Sequence, residues 1–219
     1  MLKITSYTQY SYEDLFSKLR EVRLKGFGQP LIYEKVDLSL VEDYTRGQTV
    51  PTQRYVLNDR VKTLIELYHA FEEFNIDIFN LYGYLEFSLE EGPDAEVIPL
   101  LPPILEVWPY QTRANYINPV IIDQIISDGI HRIQAAHEVG TTFTAVKVEE
   151  ISIDYPYYAY RLLHGWGEVA CLDELPDTFQ KKYYRNPLSY KDLFRLYNDV
   201  FPGVQKVRKD SNPSHIKAG

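Results

Sequence analysis

Apolar positions recur at helical spacing in some stretches of the chain and at alternate positions in others, and the two periods divide it into elements. Over residues 11–25, Leu15, Leu19 and Val22 fall on one side of a helix, with Ser11 and Asp14 as a capping-box pattern and Gly26 as a stop. Gly26-Phe27-Gly28-Gln29-Pro30 then reads as a loop, so residues 1–30 are expected as an N-terminal helical appendage. Residues 31–38 alternate like a strand. After a polar passage through Arg46-Gly47-Gln48, residues 59–74 place Val61, Leu64, Ile65, Tyr68 and Phe71 on one face of a second helix.

Residues 76–115 keep no helical period and are broken by prolines, so strands and extended segments are expected there. They include an acidic turn through Glu90, Glu91 and Asp94 and an apolar run ending at Trp108. Such a run suits core filling; a cover over a pocket or a partner surface is the alternative. Residues 118–129 predict two short strands with a tight turn at Asp123-Gln124. A helix over 131–139 follows, with Ile133, Ala136 and Val139 inward and Gly140 as its stop, then a strand over 144–148.

The last third is rich in tyrosine, with Tyr155, Tyr157, Tyr158 and Tyr160 in one cluster and Tyr183, Tyr184, Tyr190 and Tyr197 in another. Residues 189–198 predict a helix started by Ser189 and Asp192 and ended at Phe201-Pro202-Gly203, before a frayed basic tail from Lys206 to Pro213. The fold class expected is α+β: a mixed sheet with flanking helices over 31–153, interrupted by the insertion at 76–115. A mainly helical C-terminal extension over 154–219 completes it.

Composition narrows what this fold does. The 219 residues, 45% hydrophobic and 14% aromatic, are enough for a real core and exclude a disordered chain. A net charge of −8 disfavours DNA binding by a broad basic surface, yet leaves room for a local basic pocket. Cys171 is the only cysteine, which excludes an internal disulfide and a cysteine-cluster metal site and fits a reducing compartment. His131 and His137 are six apart and point to different faces of a helix, so they do not form a metal-binding pair. The opening residues lack a long apolar core and no run has the length of a membrane span, so a cytoplasmic protein without membrane contact is expected.

The candidate chemistry lies in Asp128-Gly129-Ile130-His131-Arg132-Ile133-Gln134-Ala135-Ala136, where an apolar strand runs into a helix. Glycine permits the sharp turn, and the first helical N–H groups together with the helix dipole favour an anion in front of them. An imidazole and a guanidinium stand in the first turn, and arginine is shaped to grip phosphate through two parallel hydrogen bonds. The plainer alternative is that Asp128 caps the helix while His131 and Arg132 lie on a solvated face. Farther along, aromatics beside Lys181, Lys182 and Arg185 suit either nucleobase stacking or the packing of a small subdomain.

The Asp128 to Ala136 motif, with the short Gly140 turn and the Val-rich strand after it, resembles the signature of the ParB/sulfiredoxin superfamily. Pro51-Thr52-Gln53-Arg54, between a strand and a helix, is similar to the Pro-x-Gln-Pro-Arg-like box that opens such domains. The resemblance spans residues 31–153 in order and implies a ParB/sulfiredoxin-like sheet. It also implies that Gly129, His131 and Arg132 hold nucleotide phosphates, with Gln53 and Arg54 as second contacts. The nucleotide implied is a nucleoside triphosphate, ATP or CTP, with Mg²⁺. Asp128 would bind Mg²⁺ or orient a hydroxyl nucleophile, which with His131 makes the candidate catalytic pair.

Departures from the family narrow the chemistry. Sulfiredoxin-like reduction needs a cysteine where this chain has Ile130, and it is rejected. No helix-turn-helix of the partitioning type is recognisable. Phosphotransfer resembling that of the superfamily's free-serine kinases, or nucleotide hydrolysis, remains, with its base unassigned among Glu34, Asp37, Glu42, Asp43, Glu149 and Glu150. The alternative is a non-catalytic nucleotide-dependent switch or protein/DNA-interaction module, and a protein partner or homodimer suits the insertion and the tyrosine-rich end.

Overall fold

The computed structural model of the chain describes residues 2–25, 28–92, 95–110, 121–149, 151–152, 155, 157–185 and 193–202. The helix stop at Gly26, the Pro93-Asp94 turn, Asn118 to Val120, Glu150, the Ser189/Asp192 pair, Tyr190, Gly203 and the basic tail lie outside the described residues.

In chain order the elements are β1 (Ser6–Ser11), α1 (Tyr12–Arg20), β2 (Asp37–Tyr44), β3 (Tyr55–Leu57), α2 (Asn58–Glu72), β4 (Gly83–Ser88), β5 (Ile98–Leu100), β6 (Ile104–Tyr110), β7 (Ile121–Asp128), α3 (Ile130–Val139), β8 (Phe143–Glu149), β9 (Ala170–Leu172) and α4 (Tyr197–Val200). This is an α+β fold. Its central sheet has the order β2-β8-β6-β7, antiparallel except where β6 runs parallel to β8. A second, antiparallel sheet has the order β1-β4-β5, and β3 pairs with β9 in parallel.

Side chains alternate across a strand, and both faces of the central sheet are buried. On one face Leu105, Ile126, Phe143 and Ala145 pack with Phe71 of α2 and with Ile133 and Ala136 of α3. On the other, Ile104, Trp108, Ile125 and Val146 pack with Leu15 and Leu19 of α1 and with Tyr33, Tyr157 and Tyr197. The insertion is therefore not a loop over the surface. Through β4, β5 and β6 it supplies one strand of the central sheet and two of the second.

The second face also encloses a charge. Glu106 of β6 is fully buried and accepts hydrogen bonds from Arg195 Nε and Nη2, each at 3.0 Å. Tyr33 Oη donates to it at 2.6 Å, and Trp108 Nε1 and Ser127 Oγ each at 3.1 Å. The buried arginine fastens the C-terminal segment to β6, and the Tyr197 hydroxyl, 2.9 Å from Ser127 Oγ, fastens it to β7 one residue before Asp128.

Several local expectations change in three dimensions. The Ser11–Asp14 capping box forms, but α1 ends at Arg20 rather than Lys25, because residues beyond it pair instead: Arg23 with Leu31 and Leu24 with Arg195. The strand expected over 31–38 is displaced to β2. Ile32, Tyr33 and Val36 all turn into one core, which strict alternation forbids, and Tyr33 is drawn to Glu106. Residues 118–129 do not make two strands: β7 runs unbroken from Ile121, with Asp123 and Gln124 paired to Trp108 and Val107, so ladder hydrogen bonds override a polar pair that suits a turn. The N-terminal residues contribute β1 as well as a helix, and β1 pairs with β4 of the insertion. Among the described residues of 154–219, helix occurs as α4 and as a 3-10 turn at Gly165–Glu168.

Candidate functional site

The site is built where β7 meets α3. Gly129 takes φ +94°, which lets the chain turn from strand to helix, and a Cβ there would lie 2.8 Å from Pro103 Cα. Close packing against Pro103 thus requires glycine independently of any ligand. Gly129 holds the cap position without a side chain to cap with, and the first N–H groups of α3 have no partner within the helix. Asp128 ion-pairs with Nη2 of Arg132 one turn on, and both side chains are largely buried.

His131 joins this helix start to a second one. Its Nε2 accepts the backbone N–H of Leu57 at 3.1 Å, and Leu57 is the cap residue of α2, which also lacks a capping side chain. With Nε2 an acceptor, the ring proton sits on Nδ1. Burial, then the charges of Arg60 and Lys181, lower its pKa to about 4. The ring is neutral near pH 7, so it offers one N–H donor rather than a positive charge.

That shift carries a test. Unfolded His131 titrates near 6.5 and folded His131 near 4, so between these values the unfolded chain binds the extra proton. The neutral ring's contribution, about 3 kcal/mol, is complete above pH 6.5 and is lost as the pH falls toward 4. Urea midpoints measured from pH 4 to 7.5 should fall less steeply in His131→Gln than in the wild type. Equal slopes would mean that another group carries the acid sensitivity.

The Pro51 to Arg54 box lies on the approach to β3. Gln53 is buried and spends its amide on the Tyr55 carbonyl at 2.6 Å, which makes it a brace of the turn. The Arg54 N–H donates to the Lys181 carbonyl at 3.0 Å, and its own carbonyl accepts from Ala170 at 2.9 Å. Its guanidinium carbon stands 5.3 Å from the Phe179 ring centre and 5.0 Å from that of Tyr183. The Arg54 Nε is buried with no hydrogen-bond partner among the described residues.

The structure therefore unites Asp128, Gly129, His131 and Arg132 with the start of α2, and sets Lys181, hydrogen-bonded to Arg54 through the backbone, within electrostatic reach of His131. Sequence reasoning missed Arg60. The signal was there: an arginine in the first turn of a helix, where the dipole favours a carboxylate. Lys181 was singled out only for its aromatic neighbours. Four of the acids considered as a base lie on other strands than the motif. Asp37, Glu42, Asp43 and Glu149 lie on β2 and β8, separated from β7 by β6; Glu42 accepts from Tyr82, and Glu149 pairs with Lys147. Asp173 does come near, accepting from Asn58 at the start of α2 at 2.9 Å.

Among the described residues no group of three or more His, Cys, Asp and Glu side chains is arranged to hold a metal ion. None of their helices is long and apolar enough to cross a membrane.

No curated protein and no solved structure matched the chain. A family model, the ParB CE domain, matches residues 14–170, from the capping box of α1 to the first residue of β9, and so includes the insertion, the Pro51 to Arg54 box and the β7–α3 motif. That match covers well over half of the 219 residues, and the chain belongs to the ParB CE domain family.

Proposed function

We propose that the chain binds a nucleoside triphosphate, ATP or CTP, through its phosphates at the junction of α2 and α3. One observation carries this reading: two helix starts without capping side chains are tied together by His131 amid Arg60, Arg132 and Lys181, in a protein of net charge −8. Helix dipoles, the N–H groups of the first turns and clustered cations act together on an anion, and a triphosphate is the anion whose charge suits so many donors. Gly129 and the backbone behind it, His131 Nδ1–H and Arg132 are the contacts. Arg54 stands behind Lys181 as an outer one, with Gln53 bracing its turn.

Asp128 is the carboxylate that fits Mg²⁺, which needs only one or two carboxylates beside phosphate oxygens. Bound Mg²⁺ would supply charge neutralisation for phosphoryl transfer to an acceptor or to water. The protein's own part is positioning: Arg132 holds Asp128 in place, and the Leu57 N–H fixes the orientation of the imidazole. A second reading, a nucleotide-dependent switch without turnover, is favoured by the same two bonds, because they occupy the carboxylate and the imidazole nitrogen that would otherwise accept a proton.

The test is thermal unfolding with ATP, CTP, GTP and UTP, with and without Mg²⁺, alongside phosphate release. A ligand at about a thousand times its dissociation constant adds on the order of 4 kcal/mol of stability. We expect a nucleotide-dependent rise in the wild type that Arg132→Ala abolishes. No rise with any nucleotide would end the reading. A rise without phosphate release or transfer would select the switch.

A further inference from the structure

A pile of aromatic rings and one guanidinium rises beside the phosphate site. The Tyr55 ring, 6% exposed, meets Phe179 edge-on at 5.5 Å; Arg54 lies against Phe179, and Tyr183 lies against Arg54. Tyr183 is 40% exposed, so the pile runs from the core to the solvent. It stands on a rigid base. The backbone of Arg54 is bonded on one side to Ala170, the first residue of β9, and on the other to Lys181. Tyr160, also exposed, donates its N–H to the Tyr183 carbonyl at 2.8 Å, which fixes the segment from its far side.

Two features need an explanation beyond packing. An apolar anchor for the extension has no use for an arginine between two rings, since the guanidinium must be dehydrated and here its Nε finds no acceptor among the described residues. Nor does packing require a large ring at the exposed end of the pile. Both are what a stacking platform needs. A guanidinium under an aromatic ring stiffens it by cation–π attraction, and the outer face is left for a flat, electron-rich partner. β3 carries the chain from Arg54, at the pile, to Leu57, whose N–H meets His131, a run of three residues or about 10 Å at strand spacing. A ligand whose phosphates lie at the α2–α3 junction therefore has its aromatic end within reach of Tyr183.

We infer that the Tyr183–Arg54–Phe179 pile is the base-binding subsite of the nucleotide site, where the nucleobase stacks on Tyr183. The inference rests on the phosphate-binding reading above and adds how the rest of the ligand is recognised. Stacking uses the π-face that every base has, so the subsite holds a nucleobase without reading its edge.

Titration calorimetry of the full chain with ATP and with inorganic tripolyphosphate, both with Mg²⁺, separates the two readings. Wild type should bind ATP more tightly than tripolyphosphate. Tyr183→Ala should weaken ATP by roughly 10-fold or more and leave tripolyphosphate unchanged, while Tyr183→Phe keeps the wild-type affinity for both. Unchanged tripolyphosphate affinity also certifies that the alanine variant is folded. Tripolyphosphate bound as tightly as ATP by the wild type, or ATP binding unaffected in Tyr183→Ala, overturns the subsite and leaves the phosphate site standing. Failure of the wild type to bind either ligand removes both.

Discussion

Glu106→Leu is expected to lower stability by about 3–5 kcal/mol, the range found when one partner of a buried ion pair is removed. The effect is large because of what stays behind. Arg195 is 2% exposed, and without Glu106 its charge loses its carboxylate partner while the carbonyls of Leu193 and Tyr155 still accept from it. Tyr33, Trp108 and Ser127 each lose an acceptor in a dry interior, and a buried donor left unpaired is itself costly. Burial, opposed by the carboxylate, sets the balance for Arg195, whose pKa is raised; burial and then Glu106 push Tyr33 and Tyr197 up as well.

Urea unfolding measures the loss. The double variant Glu106→Leu with Arg195→Leu should recover part of it, since an apolar pair of similar volume can replace a buried ion pair at little cost. Amide exchange should show residues 193–202 released first in the single variant, because Arg195 and Tyr197 are their anchors. A double variant no better than the sum of its singles would mean that the pair is not coupled as the geometry implies.

Gly129→Ala is expected to cost about 3 kcal/mol. Part is the left-handed backbone, which any side chain resists by about 1–2 kcal/mol. The remainder is steric: a Cβ would lie 2.8 Å from Pro103 Cα, and backbone cannot swing aside as a flexible side chain can. Gly140 supplies the control. It has a similar φ of +77° and nothing within 4 Å of its Cβ position, so Gly140→Ala should show the backbone part alone, about 1 kcal/mol. Thermal or urea midpoints of the two variants isolate the packing of β7–α3 against Pro103. Equal losses would mean that Pro103 gives way.

The candidate site was legible to the extent that it is local. Strand, glycine, helix and the order Asp128 to Arg132 follow from a 3.6-residue period and one backbone rule, both of which act within a few residues. The capping box of α1 and the stop at Gly140 are legible for the same reason. Arg60 and Lys181 were not, because their arrival beside His131 depends on the pairing of β3 with β9, more than a hundred residues apart in sequence. The roles of Gln53 and Arg54 also depend on it: one side chain turns inward as a brace, and the other is drawn between rings of the extension. Local alternation over 31–38 misled because a core on one side can take residues of both parities when the chain is not in a ladder.

What the sequence by itself determined is the class of fold, the strand-to-helix turn at Gly129 and the family-like order of its parts, since these rest on periodicity and on the conformational freedom of a single glycine. Tertiary structure alone decided the rest. It joined two helix starts through one neutral imidazole and buried Glu106 with an arginine 89 residues away. It also ran β7 straight through a pair of residues that suit a turn. The physical reason is common to all three: a buried polar group must find its partner wherever the fold brings one, and that requirement acts over distance in space, not along the chain.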